Sequence, residues 1–144
     1  DLTHLVNFVV VYLKRASPQR QAQVDIEPDL IAHGDPTLLR LVLENLLGNA
    51  WKYSERCEQA HIEFCCVSDH GQRSFVVRDN GAGFDMRTAD RLFGLFQRLH
   101  SAKDFPGTGL GLASVKRIVQ RHGGQVWADA TPGKGASFHF TLRE

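Results

Sequence analysis

Asn45, Asn49 and Lys52 lie in the run 44–54, Glu-Asn-Leu-Leu-Gly-Asn-Ala-Trp-Lys-Tyr-Ser. At ~100° per residue they fall within roughly 60° of one another on a helical wheel. Leu39, Val42, Leu43, Leu46 and Ala50 take a separate, apolar side. Asn is a mediocre helix former, and a solvated face more often carries Glu and Lys at i, i+4. A carboxamide oxygen one turn from an ammonium suits a magnesium ion that holds phosphate oxygens. Alone, the stripe reads as a polar face that meets water. Two glycine-rich loops further on change that reading.

The first loop, Asp79-Asn80-Gly81-Ala82-Gly83-Phe84, ends the alternating run Phe75–Arg78, and the second, Gly107-Thr108-Gly109-Leu110-Gly111-Leu112-Ala113, opens into a helical pattern. Glycine clusters mostly mark turns, and Asp79 before Asn-Gly reads by spacing alone as a turn residue. Three alternating glycines ahead of a helix also suit a backbone that turns its amides toward an anion. Better-known phosphate motifs are absent. There is no G-x-x-x-x-G-K-[ST], no G-x-G-x-x-G in a Rossmann setting, and no protein-kinase set of glycine loop, catalytic Asp and D-F-G.

In this order the segments resemble the catalytic and ATP-binding domain of bacterial sensor histidine kinases, within the gyrase, Hsp90, histidine kinase and MutL superfamily. Residues 44–54 resemble the N box, 79–84 the first glycine box, 93–98 the phenylalanine box and 107–113 the second glycine box. Gly133-Lys134-Gly135 is similar to the small third glycine element, and residues 92–124 resemble the kinase domains of phytochrome-like light sensors. The resemblance spans nearly all of 1–144, as one domain.

The resemblance implies ATP and Mg²⁺ as cofactors. Asn49 would ligate the metal, Lys52 and Arg98 would neutralise phosphate charge, and Tyr53 would lie beside the nucleotide. Asp79 would accept a hydrogen bond from the adenine amine, since an ionised carboxylate only accepts. Gly81 and Gly83 would let the backbone approach the base. Gly107, Thr108, Gly109, Leu110, Gly111 and Leu112 would surround the phosphates. Phe93 and Phe96 read equally as core residues or as the base of a lid over 97–108, in which Lys103 is a solvated charge. The catalytic positions are Asn45, Lys52 and Arg98. Asn45 stands where the clamp ATPases of the superfamily place a glutamate as general base, and a carboxamide cannot take a proton. Glu44 is ~100° round the helix.

These kinases phosphorylate a histidine followed by an acidic residue. The seven histidines here precede Leu, Gly, Ile, Gly, Ser, Gly and Phe. The acceptor is therefore expected on a dimerisation domain upstream in the same protein, with a response-regulator receiver domain as the later partner. The isolated domain is expected to be monomeric, and the full-length protein a homodimer. The competing functions are a conformational-clamp ATPase and an ATP-binding module that only regulates.

The elements that must position these residues follow from hydrophobic period. Leu2, Leu5, Val6, Val9, Val10 and Leu13 predict a helix that ends before Pro18. Strand-like pieces follow at 22–27 and 30–33. Asp35-Pro36 is an N-cap and first helical residue, and its helix runs to about Ser54. Residues 61–65 and 73–79 predict a hairpin across Asp69-His70-Gly71. A last helix over about 109–122 has Gly123-Gly124 as its stop, and strands at 125–130 and 136–142 close the chain. The class this implies is α/β, a two-layer sandwich with three main helices on one face of a mixed sheet, the Bergerat-type ATP-binding fold.

Composition agrees with one globular domain: 144 residues, 42% hydrophobic and 23% charged, net charge +1. No strong field points to nucleic acid or an anionic membrane, and no apolar run nears the ~18 residues of a span. Cys57, Cys65 and Cys66 lack metal-ligand spacing. They read as reduced, mostly buried thiols of a cytoplasmic protein.

Overall fold

The structure is a computed structural model, and it describes residues 1–86 and 111–143, apart from the side chain of Asp69. The elements run α1 (Leu2–Ala16), β1 (Ala22–Ile26), α2 (Pro36–Tyr53), β2 (Ala60–Asp69), β3 (Gln72–Asp79), α3 (Gly111–Arg121), β4 (Val126–Thr131) and β5 (Gly135–Phe140). The strands form one mixed sheet in the order β1-β2-β3-β5-β4. β1 and β2 are parallel, so the chain must cross over between them, and α2 makes that crossing. The other pairings are antiparallel.

Register decides what faces the helices. Ile62 pairs with Asp79, Phe64 with Val77 and Cys66 with Phe75. On the other side of β3, Phe75 pairs with Phe140, Val77 with Phe138 and Asp79 with Ala136. Alternation puts all of these on one face. Phe64, Phe75, Val77, Phe138 and Phe140 are buried there against all three helices. Asp79 closes that apolar column at its end, so its carboxyl belongs to the helix side of the sheet.

α2 is the middle helix and packs against both α1 and α3. Leu39, Val42, Leu43, Leu46 and Ala50 are buried as their spacing predicts, together with Leu47 and Trp51. Burial on both flanks leaves a narrow open stripe of Leu41, Asn45, Gly48, Asn49 and Lys52, all exposed or half-buried. Asp35 caps the helix by accepting from Thr37 N (2.9 Å) and Leu38 N (3.2 Å), and Pro36 occupies the first turn.

Residues 30–33 are not a strand. Leu30 O accepts from Leu2 N and Thr3 N, and Leu30 N donates to Thr3 Oγ1 at 2.8 Å. The Leu30 backbone that a ladder would use is spent on the start of α1, after a turn in which Asp29 takes φ 61°. The β2–β3 hairpin turns through His70 (φ 52°) and Gly71 (φ 80°), the left-handed pair of a two-residue loop. α3 stops at Gly123 (φ 76°), where Gly124 N donates to Val119 O at 3.0 Å. The three cysteines form no disulfide and are half-buried rather than mostly buried. Cys57 lies in a loop, and Cys65 and Cys66 lie on a strand with one open face.

Candidate functional site

The stripe on α2 has a glycine near each end, and at the C-terminal end the glycine backbone could not tolerate a side chain. At its C-terminal end, Tyr53 O accepts from Ala82 N at 2.9 Å. A Cβ on Gly81 would stand 2.3 Å from that same oxygen. Gly83 takes φ 63°, and a Cβ there would stand 2.1 Å from Thr131 O and 2.8 Å from Gly135 O. Gly135, at φ 111°, would meet Asp79 O at 2.1 Å. Gly133 N donates to Ala82 O at 2.7 Å. The first and third glycine elements are thus pressed together backbone to backbone, and both are fastened to the end of α2. Protein backbone fills the space that a side chain at Gly81 or Gly83 would need, beside the role expected for them at the base.

Asp79 is held at the centre of this arrangement. Its Oδ1 accepts from Gly81 N at 2.8 Å, and the Ala136 amide also donates to it. Burial nonetheless outweighs both donors and pushes the carboxyl from 3.8 up to about 6. Asn80 braces the loop from behind, donating from Nδ2 to Gln59 O (2.8 Å) and accepting from His61 N (2.9 Å). Cys57 Sγ donates to Asn80 O at 3.2 Å.

At the other end of the stripe, Asn45 meets Gly111, the first residue of α3. A Cβ on Gly111 would stand 2.6 Å from Asn45 Oδ1. Between the two ends, nothing among the described residues lies within 4 Å of where a Gly48 Cβ would be, so no described residue covers the middle of the stripe. Asn49 is half-buried next to it, and Lys52 Nζ lies 5.8 Å from the Tyr53 ring centroid. Asn45, Asn49, Lys52 and Tyr53 therefore lie on α2, Asp79, Gly81 and Gly83 on a strand end and loop tied to its last turn, and Gly111 and Leu112 in the first turn of α3, where Leu112 is buried in the core. Arg98, Gly107, Thr108, Gly109, Leu110, Phe93, Phe96 and Lys103 lie outside the described residues. Among the described residues, no group of three His, Cys, Asp or Glu side chains could hold a metal ion.

One contributor had no signal in the sequence. Arg20, in the link after α1, donates through Nη1 to Trp51 O and through Nη2 to Ser54 Oγ (2.7 Å). Its guanidinium lies 4.5 Å from the Trp51 ring centroid, and burial holds its pKa below the usual arginine value. Ser54 is fully buried and donates to Ala50 O at 2.7 Å. The last carbonyls of α2 are thus clasped next to the point where Tyr53 O seats the glycine loop.

Residues 34–144 match the family described as histidine kinase-, DNA gyrase B-, and HSP90-like ATPase. The chain belongs to this family. It is 37% identical over 131 residues to cyanobacterial phytochrome A of Nostoc sp. (strain PCC 7120), a match that covers 90% of this chain and 17% of that protein. The mycobacterial sensor histidine kinase MprB superposes with a TM-score of 0.81 at 29% identity, covering 99% of this chain and 95% of that one. Full-length ShkA in complex with AMPPNP gives 0.78 at 28% identity, with 99% of this chain and 30% of that one covered. The chain spans less than a fifth of the phytochromes it matches. Its fold is that of a histidine kinase catalytic domain, as the motif order implied, and a phytochrome is among its relatives. No helix of the described residues is long and apolar enough to cross a membrane.

Proposed function

We propose that this domain binds Mg-ATP on the α2 stripe and passes the γ-phosphoryl group to a histidine on a separate helical dimerisation domain of the same protein. The observation that carries the reading is Asp79. A half-buried carboxyl sits at the end of an apolar column and accepts two backbone amides, on a loop whose glycines leave no freedom to withdraw it. An ionised carboxylate has about four acceptor sites, so a purine amine can add to the two amides. A guanine carbonyl oxygen there would be repelled. Adenine fits this site and guanine does not.

Asn49 supplies a neutral oxygen for Mg²⁺, and Lys52 a positive charge two residues short of the Ser54 cap. With no acidic cage among the described residues, the rest of the metal's shell falls to phosphate oxygens and water, the usual arrangement for magnesium on a nucleotide. Arg98 and the segment Gly107–Leu110 complete the phosphate contacts. Phosphoryl transfer is mainly positioning and charge stabilisation, so these residues need no nucleophile among them. This domain works in the cytoplasm, and the full-length protein is a homodimer that hands the phosphoryl group to a receiver domain. The neighbour that holds AMPPNP supports the nucleotide site, and the sensor histidine kinases among the relatives support the transfer to histidine.

Calorimetry with ATP, ADP and GTP tests the base reading: micromolar-range binding of both adenine nucleotides and negligible binding of GTP are expected. Equal affinities would remove Asp79 from base recognition. Asn49→Ala should weaken ATP binding only when Mg²⁺ is present and leave the melting temperature of the free domain almost unchanged. A large fall in that temperature would mark Asn49 as a structural side chain.

A further inference from the structure

The last turn of α2 closes more tightly than a regular helix. Glu55 N, which would meet Trp51 O in an α-helix, donates instead to Lys52 O at 3.2 Å. Trp51 O is met from the side, where Arg20 Nη1 donates to it and Ser54 Oγ lies 3.3 Å away. Arg20 Nη2 donates to Ser54 Oγ at 2.7 Å, and that hydroxyl donates in turn to Ala50 O at 2.7 Å. The guanidinium also lies over the Trp51 ring, 4.5 Å from its centroid. A planar cation here answers the last carbonyls and the negative end of the helix dipole together.

The turn that this clasp holds is the one that seats the loop carrying Asp79. Tyr53 O, between the two clasped residues, accepts from Ala82 N at 2.9 Å. Gly81, next to Ala82, donates from its N to Asp79 Oδ1 at 2.8 Å. Hydrogen bonds and short stretches of backbone thus lead from Arg20, in the link between α1 and β1, to the Asp79 carboxyl. We propose that Arg20 is a positioning residue for the nucleotide: by clasping Trp51 O and Ser54 Oγ it fixes the Tyr53 carbonyl, and through it the place of the Asp79 carboxyl. Arg20 acts through Ser54, Tyr53 and Ala82 and not by touching base or phosphate. The inference rests on the nucleotide reading of Asp79 and adds to that site a residue from a different part of the chain.

Two features separate positioning from plain stabilisation. The first is the fork. A lysine ammonium gives all its donors from one atom and cannot span Trp51 O and Ser54 Oγ while lying flat on the indole. Charge alone should therefore not replace Arg20. The second is the route. A residue that acts through Asp79 has nothing left to position once that carboxylate is gone, so its effect on affinity is non-additive with Asp79→Asn. A residue that only holds the fold together would give losses that add.

The experiment is a double-mutant cycle on this chain with R20M, D79N and R20M/D79N, at a temperature where melting curves show every variant folded. R20K goes through the same cycle, so the test stands even where R20M does not fold. By calorimetry with Mg-ATP, R20M and R20K should each lose about tenfold in affinity, while R20M/D79N should stay within about twofold of D79N. In the free domain, the Asp79 carboxyl is followed by NMR across pH. It should titrate near 6 in the unaltered chain and move toward the ordinary carboxylate range in R20M and R20K, because a loop no longer held in place admits water. Three results overturn the proposal: R20K that binds ATP as well as the unaltered chain, a tenfold loss repeated in full on the D79N background, or an Asp79 titration that neither Arg20 variant moves. Failure of the unaltered chain to bind ATP would sink the nucleotide reading instead, and the Asp79 titration alone would then decide whether Arg20 positions that carboxyl.

Discussion

Asp79 carries opposite demands, and they have measurable signs. Its carboxyl is raised from 3.8 to about 6 because burial penalises the charge more than the Gly81 and Ala136 amides relieve it. The folded chain therefore holds this proton to a higher pH than the unfolded chain does. The stability this contributes is present in full below the ordinary carboxylate range and is lost as pH rises to about 6. Above that, the ionised group costs the ligand-free fold about 3 kcal/mol at most. Asp79→Asn keeps an acceptor for Gly81 N and removes the charge. At pH 7–8 it should stabilise the free domain by about 1–3 kcal/mol, and the gain should shrink as pH falls from about 6 toward 4. The same substitution should weaken ATP binding roughly 10- to 100-fold, the worth of a hydrogen bond to a charged group. Melting curves across pH, paired with calorimetry, check both signs. Destabilisation at pH 8 would show that the carboxylate is a structural anchor. In the native domain, ATP affinity should likewise fall as pH drops through about 6.

The elements are held in place by close backbone contacts, and the glycines divide by what surrounds them. Gly83→Ala forces φ 63° on an alanine whose Cβ would lie 2.1 Å from Thr131 O, so it should cost about 2–4 kcal/mol and abolish nucleotide binding. Gly48→Ala meets nothing among the described residues within 4 Å in mid-helix and should stabilise the free domain by about 0.5–1 kcal/mol. Urea unfolding of both variants separates the two cases. Equal costs would mean that neither space is as described. Arg20 acts at the same scale: Arg20→Lys loses the paired bonds to Trp51 O and Ser54 Oγ and should cost about 1–2 kcal/mol, read by thermal melting. What the sequence made legible follows this division. α2 could be placed to the residue because Asp35-Pro36 is a cap with a mechanism, and the hairpin because His70-Gly71 sits between alternating runs. Leu30, Ile31 and Ala32 look apolar enough for a strand, but the Leu30 backbone is claimed by Leu2 and Thr3 from the start of the chain, and Ile31 O accepts from Arg73 Nη2 at 3.0 Å. The Arg20 clasp spans more than thirty residues with no periodic signal. Asn45, Asn49 and Asp79 were legible as a set, but the packing that makes Gly83 necessary depends on Thr131 and Gly135, which only the sheet brings near, and that at Gly81 on the backbone of Tyr53 and Ser54.

At the scale of the molecule, α2 is a frame with a loop fastened at one end, a helix seated at the other and a stretch between them that no described residue covers. That arrangement holds a nucleotide but contains no histidine followed by an acidic residue to receive its phosphoryl group, and no carboxylate at position 45 to drive water onto it. A domain so built should bind ATP and then wait. The account's central claim is that the phosphoryl group leaves for a histidine rather than for water. The measurement that tests it most directly follows γ-labelled ATP with this chain alone and with a helical acceptor-histidine domain supplied in trans. The account predicts clear ATP binding with negligible phosphate release by the chain alone. With the acceptor present, label should appear on a histidine, acid-labile and base-stable as a phosphoramidate is. Sustained rapid phosphate release by the chain alone, with no label on the acceptor, would contradict it and make this domain a hydrolase of the clamp type.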